Sequence, residues 1–310
     1  MKAPAPAFAP ASASAQSAAR RIAVILNPAA RGERARRLRA RIEAIADGAV
    51  VLATSRSGDA ESLARTAVKQ GFDTIVAAGG DGTVNEVVNG MAGSSVALGI
   101  LPLGTMNVFA TELGLPTGDL ERCWEIIAAH EIREVDLPDA NGKHFVQLAG
   151  VGFDAQVVQE TSQSSKRSFG PLSYLVNAAQ IAARTPPLLQ IESEHAVTTE
   201  GSFVLVGNGR LYGGPFPFFK QAVIDDGLFD VLVFKRLNYL EIVRYMQDVI
   251  FSSAITAPEV EYFQTTSLRV SSETAVPVEV DGELIGHCPV EFQIRQHGLR
   301  VCAPPPPPPS

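Results

Sequence analysis

Residues 74–90 read TIVAAGGDGTVNEVVNG, and this stretch decides the fold of the N-terminal part of the chain. The apolar run at residues 74–78 predicts a buried strand, and the segment from Thr83 onward predicts a helix. Glycines between them let backbone amides approach an anion at the helix N-terminus, where unpaired N–H groups and the helix dipole favour negative charge. The stretch therefore predicts a strand, a phosphate-binding glycine loop and a helix.

Asp81 within this loop has two interpretations. A carboxylate repels a bare phosphate, so a functional Asp81 has a Mg²⁺ ion or its bound water as its partner. A purely structural Asp81 is a cap in a tight turn, because glycine-rich turns also occur where no nucleotide binds. The stretch alone leaves both interpretations open.

The surrounding sequence alternates strand and helix patterns, which is typical of a parallel sheet. The predicted strands are Ile22–Leu26, Val50–Ala53 and residues 74–78 and 96–101, and the predicted helices are residues 34–46, 60–70 and 84–91. The strands are continuous apolar runs, as expected of strands buried on both faces. We predict an α/β domain with a parallel sheet that binds a nucleotide, over residues 20–138.

Two further strand ends carry unusual turn chemistry. Asn27 and Pro28 follow the first strand, and PLGTMN at residues 102–107 follows the fourth. Ligands of open parallel sheets bind beyond the carboxyl ends of the strands, so we expect these loops to converge on the glycine loop. Arg31 lies where it could neutralise phosphate charge.

The pattern becomes mainly β after about residue 139. Asn141 and Gly142 predict a hairpin. Further strands are predicted at residues 145–148, 203–206, Phe229–Phe234 and 276–280, with helical interruptions at residues 171–183 and 238–252. We predict a β-rich, sandwich-like substrate domain over residues 139–303, with the active site in the cleft between the two domains.

Composition restricts the function further. The 310 residues carry a formal net charge of −7, which argues against a nucleic-acid partner because phosphate backbones require a basic face. The sequence has no run of about 18 apolar residues, so no transmembrane segment is predicted. Its three cysteines lack metal-ligand spacing, which favours a reducing, cytoplasmic setting. Residues 1–19 and the proline-rich residues 304–310 are interpreted as disordered tails.

Six motifs occur in a characteristic order: NPAARG, GGDGTVNEVVNG, LPLGTMNVFA, AGVGFDAQVV, DDGLFDV and VEVDGE. Together they resemble the bacterial soluble diacylglycerol kinase and lipid kinase family, which is related to the sphingosine kinases. The resemblance covers roughly residues 21–302, whereas the GGDG loop alone is shared with NAD kinases and phosphofructokinases. It implies a kinase that uses ATP and Mg²⁺ to phosphorylate a lipid hydroxyl.

The resemblance also implies which residues contact ATP. They are Asn27, Pro28, Ala29, Ala30, Arg31, Thr54, Gly80, Asp81, Gly82, Thr83, Val84, Asn85, Glu86 and Thr105. Thr54 fits independently, because it ends the second strand and its hydroxyl could face the same crevice.

The catalytic base of the family lies in the Asp281-Gly282-Glu283 motif, and Asp81 is the other candidate catalytic carboxylate. Either Asp281 or Glu283 can accept the proton of a substrate hydroxyl, and we rank Asp281 slightly ahead. The local alternative is a hairpin in which Asp281 and Gly282 are merely the type I′ corner.

A second Mg²⁺ site is implied at residues 225–231, with the Asp226 side chain and the carbonyls of Phe229 and Val231 as ligands. Oxygen ligands suit a hard cation, and an ordinary acidic turn is the alternative. The chain departs from the family at Val108, where many members carry an aspartate that joins the magnesium network. A valine side chain cannot bind a metal, so Asp81 and the phosphates hold the catalytic Mg²⁺ without it, or the enzyme is slower or differently directed.

The expected partner is a lipid substrate at a membrane surface, reached by a cytoplasmic or peripheral protein, and a homodimer is compatible with the sequence. The candidate lipid contacts are Lys166, Arg167, Phe169, Phe216, Phe218 and Phe219, although each aromatic is also a natural core residue.

Two alternative functions stay open. The first is a kinase of a soluble acceptor such as NAD, against which stands the lack of a TPTGSTA-like run in the second domain. The second is a catalytically silent nucleotide- or lipid-binding module.

Overall fold

The computed structural model describes residues 20–28, 33–152, 155, 187–194, 198–214, 216–235 and 259–306. Several predicted features lie outside the described residues: Ala29, Ala30, Arg31, Lys166, Arg167, Phe169, the helical segments at residues 171–183 and 238–252, and the tails at residues 1–19 and 307–310.

The N-terminal half is an α/β unit. Its elements are β1 (Ile22–Leu26), α1 (Glu33–Ile45), β2 (Val50–Ala53), α2 (Asp59–Lys69), β3 (Thr74–Gly79), α3 (Asp81–Met91), β4 (Ala97–Pro102), α4 (Val108–Glu112) and α5 (Leu120–Ala129). The four strands are parallel in the order β2-β1-β3-β4. Strands β1, β3 and β4 are almost entirely buried because helices cover the sheet, which confirms the predicted parallel-sheet α/β class.

The C-terminal half is mainly antiparallel β. Its strands are β5 (Ile132–Ala140), β6 (Lys143–His144), β7 (Leu148–Val151), β8 (Leu189–Ser193), β9 (Thr198–Gly201), β10 (Phe203–Gly207), β11 (Leu211–Tyr212), β12 (Phe216–Pro217), β13 (Phe229–Phe234), β14 (Val260–Thr265), β15 (Ser267–Ser271), β16 (Pro277–Val280), β17 (Glu283–His287) and β18 (Val290–Cys302). One six-stranded sheet has the order β14-β13-β10-β7-β16-β17. The predicted β-rich class is confirmed.

Strand β18 connects the two halves. It pairs antiparallel with β5 and β15, and in parallel with β4 through Val301 and Leu98. The parallel sheet therefore continues into a ten-stranded sheet that includes strands from both halves. Strand β18 thus fixes the C-terminal half to the β4 edge of the parallel sheet.

An aromatic cluster fills the interior between the two β sheets. Phe145, Phe229 and Phe292 are fully buried, with ring centroids 6.2 to 6.4 Å apart. Aromatic rings of this size bury large apolar areas and dominate the energetics of a core. The cluster gives the C-terminal half a hydrophobic core separate from the one around the parallel sheet.

The strand prediction for residues 145–148 was wrong. Only Leu148 belongs to a strand, while residues 146 and 147 form a bend. The physical reason is that the amides of Val146, Gln147 and Leu148 all donate to the side chain of Asp281. Because these amides donate to the carboxylate, they do not pair with a neighbouring strand. The local sequence pattern gives no indication of this contact. The hairpin prediction at Asn141 and Gly142 is confirmed, since both have positive φ between paired β5 and β6.

Candidate active site

The loops after β1, β3 and β4 lie side by side at the carboxyl edge of the parallel sheet. The amide of Asn27 donates to the carbonyl of Ala78 at 2.9 Å, and the amide of Leu103 donates to the carbonyl of Gly79 at 2.8 Å. The side-chain amide of Asn27 also donates to the hydroxyl of Thr83 at 2.9 Å. The predicted convergence of the three loops is therefore present, as the strand directions require.

Two glycines let the loops after β3 and β4 touch. A Cβ added to Gly104 would lie 2.6 Å from the Cα of Gly80, and one added to Gly80 would lie 3.2 Å from the Cα of Gly104. No side chain fits at the first of these positions without moving backbone. The contact keeps two stretches of backbone bare beside the N-terminus of α3, where an anion is favoured.

Asp81 is the first residue of α3, and its side chain makes a hydrogen bond to another helix, α4. Its Oδ1 accepts from the amide of Phe109 at 3.4 Å, in the first turn of α4. Burial raises the pKa of the Asp81 carboxyl, and the nearby amides of residues 107–109 oppose that shift. Asp81 therefore lies between the N-terminal ends of α3 and α4 and caps a neighbouring helix, α4.

Other predicted nucleotide contacts divide into two groups. Thr54, which follows β2, is half-buried. Thr105, which follows β4, is exposed, and so is Gly82. Val84 is buried in the core, and Asn85 is fully buried. The side chains of these last two therefore point away from a solvent-filled nucleotide site.

Glu86 has a structural partner. Its carboxylate accepts from the amide of Gly58 at 2.9 Å and from that of Ala60 at 3.0 Å, both at the N-terminus of α2. A negative charge there satisfies unpaired amides and complements the helix dipole. Glu86 thus holds α2 against α3, and the structure places its carboxylate on α2 rather than on the glycine loop.

Asp281 and Gly282 form the two-residue corner between β16 and β17, with φ angles of 47° and 83°. The carboxylate of Asp281 is enclosed by four donors. Oδ2 accepts from Asn85 Nδ2 at 2.9 Å and Val146 N at 2.8 Å, and Oδ1 accepts from Gln147 N at 3.0 Å and Leu148 N at 3.1 Å.

These four hydrogen bonds determine what Asp281 can do. Burial raises the pKa of the Asp281 carboxyl, whereas the four donors favour its charged form. With two donors on each oxygen, neither oxygen is open to a substrate hydroxyl. The type I′ corner is therefore real, and its aspartate ties α3 to the bend at residues 146–148.

Glu283 presents the opposite environment. It is half-buried, and no hydrogen bond to its carboxylate occurs among the residues that the structure describes. Its Oε1 lies 3.7 Å from the position that a Cβ on Gly82 would occupy. Burial raises the pKa of Glu283, Lys143 lowers it, and the charges of Glu86 and Asp281 raise it again. The carboxylate of Glu283 is thus more open than that of Asp281, which the sequence-based order ranks slightly ahead as the base.

In the acidic segment at residues 225–231, Asp226 lies in the turn that precedes β13. Its Oδ1 accepts from the amide of Leu228 at 2.9 Å, and burial followed by the charge of Asp230 raises its pKa. Phe229 and Val231 lie within the fully buried β13. Within the described ranges no cluster of three or more His, Cys, Asp or Glu side chains is arranged to hold a metal. The second Mg²⁺ site at this turn therefore stays a prediction, with the Asp226 carboxylate as its one side-chain ligand.

The candidate lipid contacts separate by burial. Phe219 is a core residue, and Phe218 packs edge-on against Tyr212 at 4.8 Å. Phe216 is 42% exposed, and Met106, which the sequence did not single out, is 46% exposed. Both side chains lie against Gly214, Met106 from the loop after β4 and Phe216 from the C-terminal half. No helix among the described residues is long and apolar enough to cross a membrane.

Comparison with known proteins agrees with this architecture. Residues 21–140 match the diacylglycerol kinase catalytic domain, and residues 147–303 match the YegS C-terminal NAD kinase beta sandwich-like domain. A diacylglycerol kinase of Staphylococcus haemolyticus is 34% identical over 256 residues, covering 81% of this chain and 77% of that protein. That of Bacillus subtilis is 30% identical, covering 81% and 84%.

A solved structure shows the same fold. A putative diacylglycerol kinase from Bacillus anthracis superposes with a TM-score of 0.73 at 26% identity, covering 92% of this chain and 98% of that one. Together with the two matched domains, these similarities show an ATP-dependent lipid kinase. The chain belongs to the diacylglycerol kinase family.

Proposed function

We propose that this protein transfers the γ-phosphate of ATP to the hydroxyl of diacylglycerol or a similar lipid, with Mg²⁺ as cofactor and Glu283 as the base. The observation that carries the proposal is the position of Glu283, whose Oε1 lies beside Gly82 of the glycine loop. A general base needs a free acceptor oxygen close to the reacting hydroxyl and a pKa moved toward the working pH. Glu283 has both, since burial raises its pKa.

The reaction proceeds as an in-line displacement. The lipid hydroxyl attacks the γ-phosphorus, the bond to the β-phosphate oxygen breaks, ADP leaves, and the hydroxyl proton passes to Glu283. Backbone amides of the glycine loop bind and orient the phosphates, and they stabilise the charge that develops on the transferred group. Mg²⁺, which Asp81 would hold together with the phosphates, supplies further charge neutralisation. The carboxylate of Asp81 lies between the N-terminal ends of α3 and α4.

ATP binds across the strand ends in this proposal. We assign the nucleotide contacts to Asn27, Thr54, Thr83 and Thr105, which follow β1, β2, β3 and β4 in the chain, together with residues 28–31. The hydrogen bond between Asn27 and Thr83 supports a pre-formed site, because it fixes two of the loops before any ligand arrives.

A lipid acceptor is supported by the names of the relatives and by the apolar side chains near the loop after β4. The relatives in Staphylococcus and Bacillus are diacylglycerol kinases. Met106, two residues after Gly104, and Phe216, from the C-terminal half, are exposed apolar side chains that lie against Gly214. Such side chains suit the acyl part of a lipid whose hydroxyl reaches the γ-phosphate. Access from a membrane surface follows from the insolubility of the acceptor.

A second Mg²⁺ at Asp226 has a structural role in this proposal. Asp136, which accepts from the amides of Gly227 at 2.6 Å and His297 at 2.8 Å, already orders the same turn. A cation bound by Asp226 and the carbonyls of Phe229 and Val231 would add to that order and neutralise adjacent carboxylates.

The test is a transfer assay with γ-labelled ATP and Mg²⁺ across diacylglycerol, monoacylglycerol, a sphingoid base, phosphatidylglycerol and NAD. We expect label in an organic-phase lipid with the wild-type protein and its loss in Glu283→Gln. Label on NAD would replace the lipid acceptor with a soluble one. Binding of ATP without transfer to any acceptor would identify a silent module instead.

A further inference from the structure

Glu112, the last residue of α4, is the point at which the nucleotide side meets the C-terminal half. Its Oε2 accepts from Gln147 Nε2 and from the amide of Leu211, each at 3.0 Å, and its Oε1 accepts from Arg210 Nε at 3.1 Å. The Glu112 side chain is only 5% exposed. A carboxylate this enclosed must keep its donors, because an unpaired buried charge is costly.

Helix α4 connects Glu112 to the loop after β4, which touches Gly80 of the glycine loop. The Asn107 side chain closes on Gly104, donating to its carbonyl and accepting from its amide, both at 2.9 Å. The hydroxyl of Thr111 then donates to the carbonyl of Asn107 at 2.9 Å. The helix is only five residues long, so the loop that touches Gly80 and the carboxylate of Glu112 are parts of one small rigid body.

Gln147 carries the contact onward to the hairpin corner. Its side chain donates to Glu112, while its backbone amide donates to Oδ1 of Asp281 at 3.0 Å. Asp281 lies two residues before Glu283. A series of hydrogen bonds, connected through helix α4, therefore runs from Gly104 through Glu112 and Gln147 to Asp281. Glu283, on the same hairpin, lies beside Gly82.

A separate contact joins the halves through α3. The Asn85 side chain donates to Asp281 at 2.9 Å, and Asn89 both donates to the carbonyl of His144 at 2.9 Å and accepts from its amide at 3.0 Å. The halves are also joined where β18 pairs with β4 and β5. Glu112 adds a further attachment, close to the hairpin corner that carries Glu283.

We propose that Glu112 is a positioning residue for phosphoryl transfer: by holding Gln147 and Leu211 it fixes the distance between the base on the hairpin and the phosphate loops. This inference rests on the proposed function, because it assigns the base to Glu283. It predicts that Glu112 affects the transfer step and the exclusion of water from the cleft, and leaves the affinity for ATP unchanged.

The experiment uses the full chain and Glu112→Gln, which keeps the side-chain volume but removes the charge and replaces one acceptor by a donor. We expect kcat for lipid phosphorylation to fall roughly tenfold, since small misplacements of reacting groups are expensive. The KM for ATP should stay within about twofold, because binding contacts shared by ground and transition states are untouched. The ADP formed per lipid phosphate should rise, since a looser cleft admits water.

Glu261→Gln is the matched control. Glu261 is also a partly buried carboxylate, with Thr199 Oγ1 at 2.7 Å and Lys235 Nζ at 2.5 Å, but it lies on the β14 edge of the C-terminal sheet. It should lower the melting temperature without changing the ratio of ADP to lipid phosphate.

Hydrogen exchange gives a readout that does not depend on the acceptor. The amides of residues 146–148 should be protected in the wild-type protein, and exchange faster in Glu112→Gln but not in Glu261→Gln. If the wild-type protein phosphorylates no lipid, the proposed function fails while this exchange still tests the junction. Unchanged exchange at residues 146–148, or a Glu112→Gln enzyme with the wild-type ratio of ADP to lipid phosphate, would overturn the inference.

Discussion

The glycine loop after β3 and the hairpin corner between β16 and β17 both place an aspartate beside a glycine, yet the two aspartates differ in their surroundings. Among the described residues Asp81 accepts one long hydrogen bond, from the amide of Phe109. Asp281 accepts four, from Asn85 and the amides of residues 146–148. Within the corner the contrast is repeated, because Glu283 has no such donors among the described residues. In the account proposed above, the number of donors around a carboxylate, rather than its motif, distinguishes the one that builds the site from the one that reacts in it.

The largest effect is expected for Glu283→Gln, which removes the free carboxylate and leaves the enclosed one. The rate of transfer should fall about 10³-fold, within the range attributed to general bases. Stability should change little, because no described hydrogen bond is lost. Initial rates with saturating ATP and thermal unfolding provide the two measurements.

Glu273→Gln is a suitable control for that experiment, since Glu273 is exposed and lies outside the site. It should retain the wild-type rate. A Glu283→Gln protein that keeps most of its activity would show that the comparison between the two carboxylates assigns them wrongly.

Asp281→Asn should mainly cost stability. The side-chain amide nitrogen of the variant would replace one carboxylate oxygen. The N–H groups that now donate to that oxygen would lose their acceptor. We expect the free energy of unfolding to fall by about 3 kcal/mol, in line with breaking hydrogen bonds to an enclosed charge. Denaturant unfolding followed by fluorescence or circular dichroism measures it. A fully stable Asp281→Asn protein would contradict the structural role of this aspartate.

Gly104→Ala tests the bare contact between the two loops. The added Cβ would lie 2.6 Å from the Cα of Gly80 and 2.8 Å from Oδ1 of Asn107. We expect about 2 kcal/mol of destabilisation from overpacking, and weaker binding of ATP because the loops must separate. Gly118→Ala is the matched control, since Gly118 has no heavy atom within 4 Å of the added Cβ. Equal stability and ATP affinity in the two variants would contradict the prediction.

The smallest effect is expected for Glu86→Gln, at the N-terminus of α2. Loss of the negative charge facing the amides of Gly58 and Ala60 should cost about 1 kcal/mol of stability. The affinity for ATP, measured by titration, should stay close to the wild-type value. A large loss of ATP affinity at unchanged stability would return Glu86 to the nucleotide contacts that the family resemblance implies.

Much of the fold could be predicted from the sequence because its signals are local. Buried parallel strands are continuous apolar runs, and the directions of β1, β3 and β4 alone bring Asn27, Gly80 and Gly104 to one edge. The strand predicted at residues 145–148 was wrong for the opposite reason. The bend there is imposed by Asp281, more than 130 residues away in the chain.

The candidate site could be predicted as a set of motifs but not as an assignment of roles. Asp281 and Glu283 are two residues apart in the sequence and chemically alike, and only the donors around Asp281 distinguish them. Glu112 gave no signal, since a single glutamate in LGTMNVFATELG is as consistent with a solvated helix as with an enclosed contact. Its partners Gln147 and Leu211 belong to the other half of the chain. A pattern of buried carboxylates can be recognised only once long-range pairing is known.

The most direct test of the account is the pH dependence of kcat/KM for lipid phosphorylation in the wild-type protein, Asp281→Asn and Glu283→Gln. Burial raises the pKa of Glu283, and the base must be ionised to accept a proton, so the wild-type rate should rise with pH through that raised pKa and then level off. We predict that this acid limb persists in Asp281→Asn and disappears in Glu283→Gln, whose residual rate should be flat. An acid limb that persists in Glu283→Gln and disappears in Asp281→Asn would contradict the central claim that Glu283 is the base.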